Sequence, residues 1–258
     1  LGNSSIHLPP YSKNLLNKAF INQVGADNVA PGSFIDVWSD SNGASFLTYA
    51  SVVYNVSDDP TTIWPFDNSQ IVGGDFLDCT PIWIAAAASY PDNNPPWASD
   101  LGISNLGDVE LSYKFQFLPR GTDNSAVAFS DPFVLGGNQA IAYSDIWNDL
   151  AGGQGAGAIN VCVDRTLNVG VVSRIYSTGD NGTYGQSFDG MRGTAHLKVA
   201  TGEKVRLTYL FQNNAYRTNI GFMNSGNNVI NIMVEFFDAE GNSLGIKDLD
   251  LAPYSNKQ

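Results

Sequence analysis

Residues Val109-Glu-Leu-Ser-Tyr-Lys-Phe-Gln-Phe-Leu118 put an apolar or aromatic side chain at every second position from Val109 to Phe117. A period of two belongs to a β-strand with one face in a core and the other toward a polar surface. Just before it stands Trp97-Ala-Ser-Asp-Leu-Gly-Ile-Ser-Asn-Leu-Gly107, and just after it the turn Pro119-Arg-Gly121. The whole block recurs as Tyr216-Arg-Thr-Asn-Ile-Gly-Phe-Met-Asn-Ser-Gly226, Val229-Ile-Asn-Ile-Met-Val-Glu-Phe-Phe237 and the turn Asp238-Ala-Glu-Gly241. An alternating strand flanked in the same way twice in one chain signals a repeated all-β unit.

Two further echoes extend the repeat. Leu1-Gly-Asn-Ser-Ser-Ile-His-Leu-Pro-Pro-Tyr-Ser-Lys-Asn14 runs in step with Leu244-Gly-Ile-Lys-Asp-Leu-Asp-Leu-Ala-Pro-Tyr-Ser-Asn-Lys257, matching at Leu-Gly, at Leu8 and Leu251, and at Pro-Tyr-Ser. Ala158-Ile-Asn-Val-Cys-Val-Asp164 pairs with Phe34-Ile-Asp-Val-Trp-Ser-Asp40, and Val171-Val-Ser-Arg-Ile-Tyr176 with Tyr49-Ala-Ser-Val-Val-Tyr54. The expectation is two Ig-like antiparallel β-sandwich modules. Residues 81–190 form a complete one, residues 191–258 the front half of a second, residues 1–66 its back half, and residues 67–80 a linker. The second module is thus assembled from the two ends of the chain.

Alternation bounded by Gly, Asn, Asp and Pro predicts strands at 34–39, 46–55, 82–88, 109–118, 158–163, 168–177, 195–200, 204–211, 229–237 and 244–251. Asp238–Gly241 reads as the hairpin turn between the last two. Residues 14–21 and 144–150 each carry a short helical signal. Many short strands with turns between them point to antiparallel sandwiches.

Several motifs together resemble tandem β-sandwich repeat modules of bacterial secreted and cell-surface proteins. They are Trp97-x-Ser-Asp-Leu101 with Asn105, Gly155-Ala-Gly-Ala158, Ser173-Arg-Ile-Tyr176, Gly182-Thr-Tyr-Gly-Gln186, and Tyr216-Arg-Thr-Asn-Ile-Gly-Phe222 with Asn224. Tyr49-Ala-Ser-Val-Val-Tyr-Asn-Val-Ser-Asp-Asp-Pro60 is similar to the closing motif of such modules, yet here it precedes everything else. The resemblance covers nearly the whole chain and implies a structural role with no catalytic residues. The displaced closing motif is the order expected of a chain that begins mid-module.

Composition narrows the function classes. The 258 residues carry a formal net charge of −12, with 43% hydrophobic and only 15% charged residues. No Lys/Arg cluster exists to follow a phosphate backbone, so nucleic acid is not an expected partner. No apolar run is long enough for a membrane-spanning helix. The chain opens on Leu1 without a leader, as a processed product or an excerpt of a longer chain would. Cys79 and Cys162 allow one disulfide, and Asn3, Asn55 and Asn181 head glycosylation triplets. These features read as extracellular or cell-surface.

Candidate chemistry is sparse. His7 and His196 are the two histidines, each within a strand-like alternation, so neither a zinc site nor a Ser-His-Asp triad is expected. Carboxylates such as Asp123, Asp238 and Glu240 fall in turns, where they satisfy local amides. Asp58-Asp59, or Asp75 with Asp78, could offer oxygens to calcium, but no cofactor is expected. Gly152-Gly-Gln-Gly-Ala-Gly157 lacks the Lys-Ser/Thr of a phosphate loop. Arg174 and Arg217 stand near Tyr176 and Tyr216, as stacking partners do.

A cut sandwich leaves an apolar face and strand edges open. The sequence therefore predicts a non-catalytic structural subunit of an extracellular filament, sheath or surface array. It would assemble head-to-tail by strand or half-domain complementation, or by tandem covalent repetition. The expected assembly strands carry Leu1, Ile6, Leu8 and Tyr11 at one end and Leu244, Leu249, Leu251 and Tyr254 at the other. The alternative is a carbohydrate- or protein-binding accessory module of a secreted bacterial protein. That alternative needs a row of exposed aromatics drawn from Trp38, Trp64, Trp83, Trp97 and Trp147. A hydrolase would need a cleft with two close carboxylates.

Overall fold

The computed structural model describes residues 50–54, 59–63, 79–164, 168–192, 204–208, 210, 212–214 and 218–258. The expected strands at 34–39 and 195–200, and the helix at 14–21, lie outside these residues.

Residues 79–192 form an antiparallel two-layer sandwich. One layer orders its strands β11-β3-β8-β5-β6: Met191–Arg192, Thr80–Ser89, Gly155–Val163, Leu111–Pro119 and Phe133–Leu135. The other orders β10-β9-β4-β7: Gly182–Asp189, Val169–Gly179, Trp97–Asn105 and Gln139–Tyr143. The alternation of β5 decides its faces: Leu111, Tyr113 and Phe115 enter the core, with Ile82, Ile84, Leu101, Ile103, Ile159, Val161 and Val171 around them. A short helix, α1 (Ile146–Ala151), closes one end of the core with buried Ile146 and Trp147. The Phe117 and Trp147 rings meet edge-on at 5.6 Å between centroids.

Motif residues fix how the layers join. Ile84–Ala87 interrupts the register of β3 with β8. Ser99 of β4 reaches across the sandwich to the residue just past that irregularity, donating to Ala88 O at 3.0 Å and accepting from Ala88 N at 2.8 Å. Buried backbone polar groups need such partners. Gly157 explains the glycine-rich stretch as packing, because a Cβ there would meet Leu118 O at 2.0 Å and the Trp147 ring at 2.7 Å. A disulfide joins Cys79, just before β3, to Cys162 in β8, with Cα atoms 5.5 Å apart.

Two smaller pieces flank this sandwich. Near the N-terminal end, β1 (Ala50–Tyr54) and β2 (Asp59–Ile63) pair with each other, and β2 lies against β10, where Ser187 Oγ donates to Thr62 O at 2.6 Å. Near the C-terminus, β12 (Phe222–Met223) pairs with β15 (Asn256–Lys257), and β13 (Ile230–Phe237) with β14 (Ser243–Leu251). Among the described residues, no strand pairing joins residues 50–63 to residues 218–258. Residues 204–208, expected as part of a strand, are not in one, and Val205 and Leu207 are exposed. Their alternation finds no ladder partner among the described residues, and a strand without one is not held.

Candidate assembly face

Two buried asparagines make matching sets of bonds. Asn105 Nδ2 donates to Val109 O at 2.8 Å, Leu135 O at 3.2 Å and Gly136 O at 3.1 Å, while its Oδ1 accepts from Gly107 N at 3.1 Å. Asn224 Nδ2 donates to Asn228 O at 2.7 Å, Leu251 O at 3.3 Å and Ala252 O at 3.0 Å, and its Oδ1 accepts from Gly226 N at 2.9 Å. Each asparagine thus clamps the carbonyl four residues on, the carbonyl of a strand's last residue and the carbonyl just after it. Three residues past each strand end the backbone turns left-handed, at Asn138 with φ 55° and at Tyr254 with φ 49°. The amides of those two residues donate to Gly107 O and Gly226 O respectively. Around these asparagines β12, β13, β14 and β15 hold the places that β4, β5, β6 and β7 hold in the sandwich.

The likeness stops at burial. Leu111 and Phe115 are fully buried and Tyr113 is 2% exposed, because β8 and the opposite layer cover them. In β13, Ile230 is 38% and Phe236 45% exposed. A groove lined by Ile220, Phe222, Val234, Phe236 and Leu249 opens between the β12–β15 pair and the β13–β14 hairpin, with Lys247 and Lys257 beside it. Outside the groove Met233 and Ile246 stand more than half exposed. Among the described residues β13 has no strand on the edge away from β14. An apolar patch beside a strand edge with no partner among the described residues is the combination that interaction surfaces share.

The C-terminal unit is held to the sandwich by its last turn. The Tyr254 ring stacks on Trp83 at 6.1 Å, beside buried Leu118 and Ala158. Asn124 Nδ2 donates to Tyr254 O at 2.8 Å, Asn124 N to Pro253 O at 3.1 Å, and Asn256 Nδ2 to Ala85 O at 3.0 Å. Of the expected assembly residues, Leu244 is exposed, Leu249 lines the groove, Leu251 is buried beneath the Asn224 clamp and Tyr254 docks on Trp83. Leu1, Ile6, Leu8 and Tyr11 lie outside the described residues, as do Asn3 and Asn55. Asn181 sits exposed in the turn between β9 and β10.

Other candidate groups resolve into structure. Trp83 and Trp147 are buried in the core and Trp97 is half-buried, so these three form no exposed aromatic row. Arg174 lies over the Tyr176 ring at 4.8 Å. Asp100 Oδ1 accepts from Tyr176 Oη at 3.2 Å and from Asp145 N at 3.0 Å. Burial first, and then the charge of Asp100, pushes the Tyr176 hydroxyl up to about 12. Burial also raises Tyr113, whose hydroxyl meets that of Tyr143 at 2.6 Å. Asp123 Oδ1 accepts from Ser125 Oγ and N, which hold its carboxyl below the ordinary value. An open groove beside α1 is lined by Phe117, Arg120, Phe129, Trp147 and Gln154, and no Asp or Glu borders it. Among the described residues no three His, Cys, Asp or Glu gather as metal ligands, and no helix is long and apolar enough to cross a membrane.

The sequence echo at Asn105 and Asn224 pointed to the clamp. The sequence does not predict the docking of the Tyr254 turn on the sandwich, although this left-handed residue stands in step with Asn138. Position in a turn was the only signal, and a tyrosine is an unusual residue there.

No family model matches the chain, and no curated protein matches it. Among solved structures, the crystal structure of Thermotoga maritima 1070 is similar at 10% identity with a TM-score of 0.35, covering 46% of this chain and 98% of that one. A likeness at that level carries no argument about function.

Proposed function

We propose that this chain is a non-catalytic structural subunit of an extracellular filament, sheath or surface array. Its C-terminal unit is completed by strands from a neighbouring copy, or from the next module of a covalent tandem. The observation that carries this reading is β13. It has the in-out pattern of β5 and the same asparagine clamp, yet its apolar side lines an open groove. Exposed Ile and Phe side chains each forgo roughly 1.5–3 kcal/mol of burial, which a complementary partner would recover. A donor at one end of the molecule and an acceptor at the other make a heterologous contact, which repeats without closing and so builds a fibre. The Cys79–Cys162 bridge and the low charge fit an oxidising exterior.

Light scattering and negative-stain electron microscopy across a concentration series test the reading. The expected result is growth of linear oligomers with concentration. A species that stays monomeric at every concentration sinks it.

A further inference from the structure

We infer that residues 34–39 of a second copy add as an antiparallel strand to the open edge of β13, in the register that sets Val37 opposite Val234. The inference rests on the assembly reading above and specifies its contact. In the sandwich, the strand beside β5 on the side away from β6 is β8, with Tyr113 opposite Val163, Phe115 opposite Val161 and Phe117 opposite Ile159. Phe115 lies ten residues beyond Asn105, and Val234 ten beyond Asn224, so β13 offers Val234 where β5 offers Phe115. Phe34-Ile-Asp-Val-Trp-Ser-Asp40 reads in step with the β8 segment Ala158–Asp164, carrying Val161 onto Val37 and Ile159 onto Ile35. Together these set Ile35 opposite Phe236 and Val37 opposite Val234, the two β13 residues that line the groove.

The neighbour, not the same molecule, supplies the strand. In the sandwich, β9 follows β8 and pairs with β4, Leu101 opposite Ser173. The segment that echoes β9 is β1, so self-completion would pair β1 with β12. Instead β1 pairs with β2, and β2 lies along β10. β10 belongs to one layer of the sandwich, whereas Trp83, which holds Tyr254, belongs to the other. The two flanking pieces of one molecule are therefore seated on different layers.

The register has a chemical signature. The pair opposite each other at Gln116 and Asn160 is joined by Asn160 Nδ2 donating to Gln116 Oε1 at 3.2 Å. The same position in the new contact sets Glu235 against Asp36, two like charges directly opposed, which weakens a cross-strand contact.

Cysteine cross-linking of the full chain tests this, since the native cysteines are already bonded to each other. Val37→Cys and Val234→Cys variants, mixed and mildly oxidised, are expected to give a disulfide-linked dimer containing one of each. Val37→Cys with Ile232→Cys should give several-fold less. The doubly substituted chain should give a ladder of linked oligomers. Separately, Glu235→Gln should strengthen assembly several-fold, and Asp36→Asn should do the same. An intramolecular disulfide in the double variant would overturn the second-copy donor. Preferential linkage at Ile232, or no linkage between the Val37→Cys and Val234→Cys variants while the wild-type chain still forms fibres, overturns the register and leaves the assembly reading standing. A wild-type chain that never assembles removes both.

Discussion

In β5, Leu111, Tyr113 and Phe115 are at most 2% exposed, whereas Phe236 of β13 is 45% exposed and Val234 lines an open groove. Both strands alternate, both follow a clamped asparagine, and both form a hairpin ladder with the next strand. The difference is β8, which flanks β5 and brings Ile159, Val161 and Val163 into the same core. Local chemistry is thus enough to set a strand's faces and its turn, but burial needs a neighbour on the second edge.

Truncation at the equivalent position of each strand should separate β5 from β13 by the widest margin. Phe115→Ala should cost about 3–5 kcal/mol in denaturant unfolding, as for a buried aromatic. Val234→Ala, in the dilute chain, should cost under about 1 kcal/mol, the usual effect at an unfilled site. Equal costs would mean that β13 is already covered.

The clamps come next. Asn105→Ala leaves three carbonyls and the Gly107 amide without their partner, and should lower stability by about 2–3 kcal/mol. Asn224→Ala should leave the main unfolding transition in place and instead speed amide exchange at Gly226, because the smaller unit opens on its own. A shared loss of the main transition would show that the two units unfold as one.

Tyr254→Ala removes the stack on Trp83, worth roughly 1 kcal/mol beyond its buried area. Faster exchange is expected at the Gly121 and Asn124 amides, which donate to Asn256 O and Pro253 O, with Phe115 unchanged. If Phe115 also exchanged faster, the docked unit would be bracing the core itself.

Asp238→Asn should give the smallest effect. The Asn242 side chain, and after it the Asn242 amide, hold the Asp238 carboxyl below its ordinary value. A lowered acid stabilises above its unfolded pKa and loses that contribution as pH falls through the folded value. The stability gap between wild type and variant should therefore be present at neutral pH and vanish in acid. A gap that persisted in acid would mean that the turn depends on shape and not on charge.

Much of this was legible from alternation. The strands expected at 82–88, 109–118, 158–163, 168–177, 229–237 and 244–251 each overlap an observed one, and α1 falls on the helical signal at 144–150. The pattern of Trp97–Asn105 does not predict the strand β4, since Asp100 and Gly102 weaken strand propensity. Its buried Ser99 and Asn105 are held by hydrogen bonds that a hydrophobic pattern does not register. β2 contains Pro60, a residue confined to strand edges, and alternation does not predict a strand there. Residues 204–208 show the reverse case, a good pattern without a strand, because alternation states a preference and pairing decides it. The open face of β13 could be suspected from the repeat, but exposure is a property of neighbours and needs coordinates.

The Cys79–Cys162 bridge has a mechanical meaning for any unit that sits in a fibre under load. Tension applied between Cys79 and Arg192 passes straight across the bridge to Cys162, so the 83-position separation it spans stays off the load path. An extended chain reaches about 3.4 Å per residue, so the intact bridge withholds roughly 280 Å of stretch. Oxidised, that segment cannot be drawn out even when the sandwich unfolds under load; reduced, it adds its full length to the extension.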